Sequence, residues 1–169
     1  MGHREHRETA PKSITLAVIT VSDTRTPATD ESGMLICDLC RQAGHQPVHH
    51  VVVPDDPGKV RSAVSEALAR PGVQAVLVYG GTGISGRDRT FEAISGLIEL
   101  RLEGFGELFR HLSYQEIGPA AMLSRAVAGV VSGRPVFSMP GSPAAVRLAM
   151  ERLILPELAH VVAEAAKRS

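Results

Sequence analysis

Tryptophan is absent from this chain, and aromatic residues make up only 4% of its 169 residues. The core must then be built from Val, Leu, Ile and Ala, a composition that suits helices packed on a buried sheet. Neither sign of charge is in excess, since Lys plus Arg and Asp plus Glu number 18 each. With no global field, neither nucleic acid nor an anionic membrane is expected as a partner, and any anion site must be local. Nowhere do 18 apolar residues run together, and the polar start "MGHREHRETAPKS" has no apolar stretch behind its charges. That argues against a spanning helix or signal peptide, and a cytoplasmic protein is expected.

Cysteine is scarce too: the only two form "CDLC" at Cys37 to Cys40. A reactive pair of this spacing belongs at a helix N-terminus, where the dipole lowers a thiol pKa. Here Leu35, Ile36, Leu39 and Cys40 follow a helical period, so the pair falls mid-helix and reads as core. No second pair completes a zinc site. His3 and His6 belong to a solvated tail expected over residues 1–12, followed by a single domain over 13–169.

What is present is alternation. "ITLAVITVSD" (Ile14 to Asp23), "VHHVVV" (Val48 to Val53) and "VQAVLVYGG" (Val73 to Gly81) are near-continuous apolar runs, each ending in turn residues. Helical patterns follow each of them: Glu31 to Ala43, the stripe Val60, Ala63, Val64, Ala67 and Leu68, and Thr90 to about Leu102. Shorter helices are expected over Gly104 to Glu116 and Pro119 to Arg125, then a hairpin turning at Ser132-Gly133, then two helices opened by Ser142-Pro143. Such alternation predicts an α/β fold with a mostly parallel sheet and helices on both faces. Ligands of such sheets bind at the carboxyl ends of the strands. "SDTRT", "PDDPG", "GGTGISGRDRT" and "MPGSP" should therefore converge on one edge.

Of these turns the third is the richest. Gly80, Gly81 and Gly83 let the backbone approach a ligand and present N–H groups to an anion, flanked by Thr82, Ser85, Arg87, Arg89 and Thr90. Gly81, Gly83 and Gly86 also satisfy G-x-G-x-x-G, but on the third strand and with "RDRT" before the helix, so the dinucleotide reading is weak. Pro140, Gly141 and Ser142 form a second backbone turn before a helix start. Asp56, before Pro57, reads as a cap. Asp55 and Asp88 would repel a bare phosphate, a conflict that Mg²⁺ held by carboxylates and substrate phosphates removes.

The "GGTG" run with "RD-T" after it, the "SDT" closing the first strand, the "LSR" at Leu123 to Arg125 and the late "PGSP" together resemble the MogA/MoaB family of molybdenum cofactor biosynthesis proteins. The likeness runs from near Ile14 to near His160, and "EGFGELFRHLSYQEIG", "SRAVAGV" and "FSMPGSP" are more similar to its MoaB branch. The resemblance implies a three-layer α/β/α molybdopterin-binding domain that forms homo-oligomers, either trimers or hexamers of two trimers. Active members adenylylate molybdopterin, whose terminal phosphate attacks the α-phosphate of Mg-ATP and releases pyrophosphate. Carried over by motif, Gly80, Gly81, Thr82 and Gly83 would cradle phosphate, with Asp55 and Asp88 as the acids that catalysis depends on and that organise Mg²⁺. Ser22, Asp23 and Ser124 would line the same cleft, with Pro140, Gly141 and Ser142 on its nucleotide side. Two positions depart from the active pattern: Phe91 stands where Pro is usual, and Ser138 where the MogA-like branch has Asn. The first changes how a helix begins; the second removes an amide, which leaves a non-catalytic molybdopterin carrier as the alternative to the adenylyltransferase.

Overall fold

The computed structural model describes residues 11–167. The tail over residues 1–12, with His3 and His6, lies almost entirely outside them. Six strands form one sheet in the order β2-β1-β3-β6-β5-β4. β1 (Thr15–Val21), β2 (Gln46–Val53), β3 (Ala75–Tyr79) and β6 (Arg134–Met139) run parallel, while β4 (Leu100–Arg101) and β5 (Val127–Val131) are antiparallel at one edge. Helix α1 (Glu31–Gln42), α4 (Glu103–Ile117), α5 (Pro143–Ala149) and α6 (Leu155–Ala166) cover one face, and α2 (Pro57–Ala69) and α3 (Thr90–Ser95) the other. Two apolar cores result, one around Leu16, Leu77, Phe109 and Ile154, the other around Ile19, Val64, Val78 and Ile94. Since successive residues of a strand point to opposite faces, β1 and β3 can feed both cores only by being apolar throughout. Phe105 meets Phe137 edge-on at 5.3 Å, so what aromatics there are concentrate in the first core.

Local chemistry explains most boundaries. Asp30 and Asp56 cap α1 and α2 through the N–H groups of Gly33 at 3.1 Å and Lys59 at 2.8 Å. The five-residue stripe of α2 is buried as its period requires. The helix expected from Thr90 to about Leu102 is shorter, ending at Ser95. Beyond Gly96 the backbone joins the sheet instead: Glu99 N–H bonds Val130 C=O and Leu102 N–H bonds Ala128 C=O, both at 2.9 Å. A ladder partner far along the chain outcompeted the local helical period. Toward the C-terminus the two expected helices are joined by a π-helical turn, Met150–Ile154. It precedes Pro156, which lacks an N–H and would crowd the carbonyl four residues back in a regular helix.

Strand order sets where a ligand can enter. The chain leaves β1 to place β2 on one side and returns to place β3 on the other, so the loops after β1 and β3 diverge and open a crevice.

Candidate functional site

At that crevice lies a cleft of about 650 Å³. Its walls include Ser22, Gly80, Gly81, Thr82, Gly83, Asp88, Ser124, Pro140, Gly141 and Ser142. Three elements of one sheet edge and the segment after α4 thus bring together ten of the thirteen residues expected there. Asp23, Asp55 and Thr90 lie just behind: Asp23 Oδ1 accepts from the Asp55 N–H at 3.0 Å. A Cβ built on Gly81 would lie 2.2 Å from Thr90 Oγ1 and 2.5 Å from Asp55 Oδ2.

The floor is backbone packed on backbone. Gly80 and Gly81 have φ of +96° and +60°, and a Cβ on Gly80 would lie 2.2 Å from Val21 C=O. Only glycine meets both demands. Gly141 packs on Gly80 from the other loop, its Cβ position 3.1 Å from Gly80 Cα. Ser142 caps α5, accepting from Ala145 N–H at 3.2 Å, so its hydroxyl already has a partner.

The two acids differ in state. Asp88 accepts from the Ser85 hydroxyl at 2.6 Å and the Ser85 N–H at 2.9 Å, and also from the Gly83 N–H. The Ser85 hydroxyl first, with the two N–H groups and Arg125 against a smaller effect of burial, holds its pKa below the ordinary 3.8. Among the described residues Asp55 accepts only the Arg89 N–H, at 3.3 Å, and burial, reinforced by Asp88, pushes its pKa above 3.8.

Arg125 was missed as a site residue, although it closes the "LSR" motif. Its Nε and Nη2 donate to the carbonyls of Thr82 at 3.3 Å, Gly83 at 2.6 Å and Asp88 at 2.7 Å. Its Nη1 donates to Glu92 Oε1 at 2.5 Å. A peptide unit points its C=O and N–H in opposite directions. The Thr82–Gly83 peptide therefore turns its C=O to Arg125 and its N–H to Asp88, and the Asp88–Arg89 peptide turns its C=O to Arg125 and its N–H to Asp55. One guanidinium holds three peptides, two of which each present an N–H to one acid. The Phe91 ring completes the arrangement, with Arg125 Cζ 5.2 Å from its centroid. Sequence spacing could not find this, because Arg125 and the glycine loop are about forty residues apart and joined only by the fold.

Ser138 is fully buried on β6, and its hydroxyl has no partner among the described residues; the same holds for the buried hydroxyls of Thr90 and Ser124. Cys37 and Cys40 are both buried, and burial pushes the Cys40 thiol up to about 12, far from a reactive thiolate. No helix among the described residues is long and apolar enough to cross a membrane.

Known proteins bear on this arrangement. The family described as "Probable molybdopterin binding domain" matches residues 17–160. Molybdenum cofactor biosynthesis protein B of Bacillus cereus is 48% identical over 165 residues, 97% of this chain and 98% of that protein. A crystal structure of a molybdenum cofactor biosynthesis protein B superposes with a TM-score of 0.91 at 49% identity, covering 94% of this chain and 99% of that one. The tungsten cofactor synthesizing protein MoaB from Pyrococcus furiosus gives a TM-score of 0.84 at 40% identity, with 93% and 99% covered.

Proposed function

The chain belongs to the molybdopterin-binding family of molybdenum cofactor biosynthesis proteins, on the MoaB side of it, and from that premise we propose that it binds molybdopterin in the cleft and adenylylates it with Mg-ATP, releasing pyrophosphate. The observation that carries the reading is the pairing of a glycine-built backbone floor with two acids held by the same loop. A phosphate monoester has a second pKa of about 6, so its attacking oxygen is largely ionised at neutral pH and needs no general base. The chain's part is then alignment and charge neutralisation.

The donors fit Mg²⁺. Around Gly81 and Gly83 stand the carboxylates of Asp55 and Asp88 and the unpartnered hydroxyl of Thr90, all oxygen, as a hard cation requires. Among the described residues no group of three or more His, Cys, Asp or Glu forms a cage, so phosphate oxygens of the substrates would complete the shell. Bound there, Mg²⁺ would neutralise charge on the phosphates. Asp88 stays ionised through its hydrogen bonds, and Thr82, Gly83 and Ser142 line the space where phosphates would lie.

A non-catalytic carrier is the second reading. It is favoured by Asp55 standing behind the lining and by Ser138 being buried in β6, with no amide to offer a nucleotide. Incubation with molybdopterin, ATP and Mg²⁺, with Asp88→Asn alongside, separates the two. Pyrophosphate and adenylylated pterin from wild type only would establish the transferase; bound pterin without product would establish the carrier.

The same reading takes the protein to be a cytoplasmic user of ATP and a homo-oligomer, a trimer or hexamer. Exposed Leu108, Tyr114, Ile117, Met122 and Leu123 along α4 and the 3₁₀ helix after it, Gly118–Leu123, supply apolar surface for subunit contact. Light scattering gives the subunit number.

A further inference from the structure

Arg25 is the one cation among the side chains lining the cleft. It lies in the loop after β1, and its side chain is 34% exposed. Beneath it lies Asp30, a carboxylate with no exposure at all. As the cap of α1, Asp30 needs only the Gly33 N–H. Yet it also accepts from the Thr20 hydroxyl at 2.5 Å and from the Tyr79 hydroxyl, and His50 Nε2 lies 2.9 Å from it. Thr20 is two residues before Ser22 on β1, and Tyr79 immediately precedes Gly80 on β3. The carboxylate is therefore tied to both strands whose loops open the cleft.

Arg25 Nη1 stands 3.6 Å from Asp30 Oδ1. That is close enough for charge attraction but too long for a fork-to-fork pair, so the guanidinium keeps donors for another acceptor. The other charged side chain of the lining is Asp88. Without Arg25 the cleft would present a phosphoryl group with net negative charge.

We propose that Arg25 is the side chain that binds a phosphoryl group of the cleft ligand, and that Asp30 is a positioning residue that fixes the guanidinium relative to both loops. The inference rests on the molybdopterin and nucleotide reading above. The phosphoryl group can belong to the pterin's monoester or to ATP, which share this chemistry.

The test measures equilibrium binding of molybdopterin and of Mg-ATP in separate titrations. Wild type is compared with Arg25→Ala, Arg25→Lys, Asp30→Asn and the Arg25→Ala/Asp30→Asn double variant, each first shown to be folded by circular dichroism. Loss of a charge-assisted, desolvated contact should weaken one ligand by about tenfold or more in Arg25→Ala, and the ligand affected identifies the source of the phosphoryl group. Arg25→Lys should recover part of the loss, since it restores a charge without the fork. Asp30→Asn should weaken the same ligand less and cost nothing further when Arg25 is already Ala. If Asp30→Asn does not fold, Tyr79→Phe removes one donor from the same carboxylate and takes its place in the cycle. Unchanged affinity for both ligands in Arg25→Ala, with wild type binding, overturns the role of Arg25. Equal losses from Asp30→Asn with and without Arg25 overturn positioning. A wild type that binds neither ligand removes the proposed function, and this inference with it.

Discussion

Arg125 and Arg25 serve the same cleft from different surroundings. Around Arg125 every donor group faces the protein itself: three loop carbonyls, Glu92 and the face of Phe91. Arg25 Nη1 is instead 3.6 Å from Asp30 Oδ1, on a carboxylate that already accepts from Thr20, Tyr79 and Gly33. The first arginine shapes a loop from behind, and the second presents a charge in front. A basic residue in a site is thus not a ligand contact by type; its remaining hydrogen-bonding capacity decides.

The comparison breaks most severely at Asp30. Asp30→Ala takes the acceptor from the Tyr79 hydroxyl and the Gly33 N–H, while the Thr20 hydroxyl keeps Tyr79 and His50 beside it, so a loss of about 2–3 kcal/mol is expected in denaturant unfolding. The ionised state adds a pH signature. Burial raises the Asp30 pKa, but the hydrogen bonds from Thr20, Tyr79, Gly33 and His50 outweigh it and bring the folded value below 3.8. Its stabilisation is accordingly complete above about pH 4 and is lost as pH falls through the lower folded value. Asp30→Asn should flatten that part of the melting-temperature profile.

Next comes Arg125→Ala, which frees both peptides that hold the acids. A misplacement of about 1 Å at a reacting centre costs on the order of 100-fold, so the proposed adenylylation should fall about that far in kcat, with faster amide exchange at Gly83 and Arg89. Lysine should not rescue it, because one ammonium cannot reach carbonyls in the geometry of a planar fork.

The two acids should part in stability. Asp55 has a folded pKa above 3.8, so its ionised form destabilises the folded chain at neutral pH, a penalty that shrinks as pH falls through that raised value and is gone below about 3.8. Asp55→Asn should raise the melting temperature at pH 7 while lowering activity, whereas Asp88→Asn, which weakens the bonds to Ser85 and Gly83, should lower both. Parallel stability changes would remove the distinction. The smallest effect belongs to Phe91→Leu, which keeps an apolar side chain against the second core and removes the ring under Arg125. About 0.5–1 kcal/mol is expected in denaturant unfolding from the lost cation–π contact.

Legible in the sequence were the layers, the parallel strands, the caps at Asp56 and Ser142, and the sheet edge where the loops meet. Each follows from short-range facts: apolar runs too continuous for a one-faced strand, helical stripes, and turn residues at their ends. Thr90 to Leu102 shows the limit, since its helical period was overridden by β5, a partner roughly thirty residues away. Which acid lines the cleft and which lies behind Gly81, which arginine is committed to the loop, and why Asp30 has more donors than a cap uses follow from the tertiary structure alone. Those properties depend on hydrogen-bond partners 10 to 49 residues distant that spacing along the chain does not encode. Burial then sets the energetic weight of each group, because a charge acts strongly only where the fold removes water from around it.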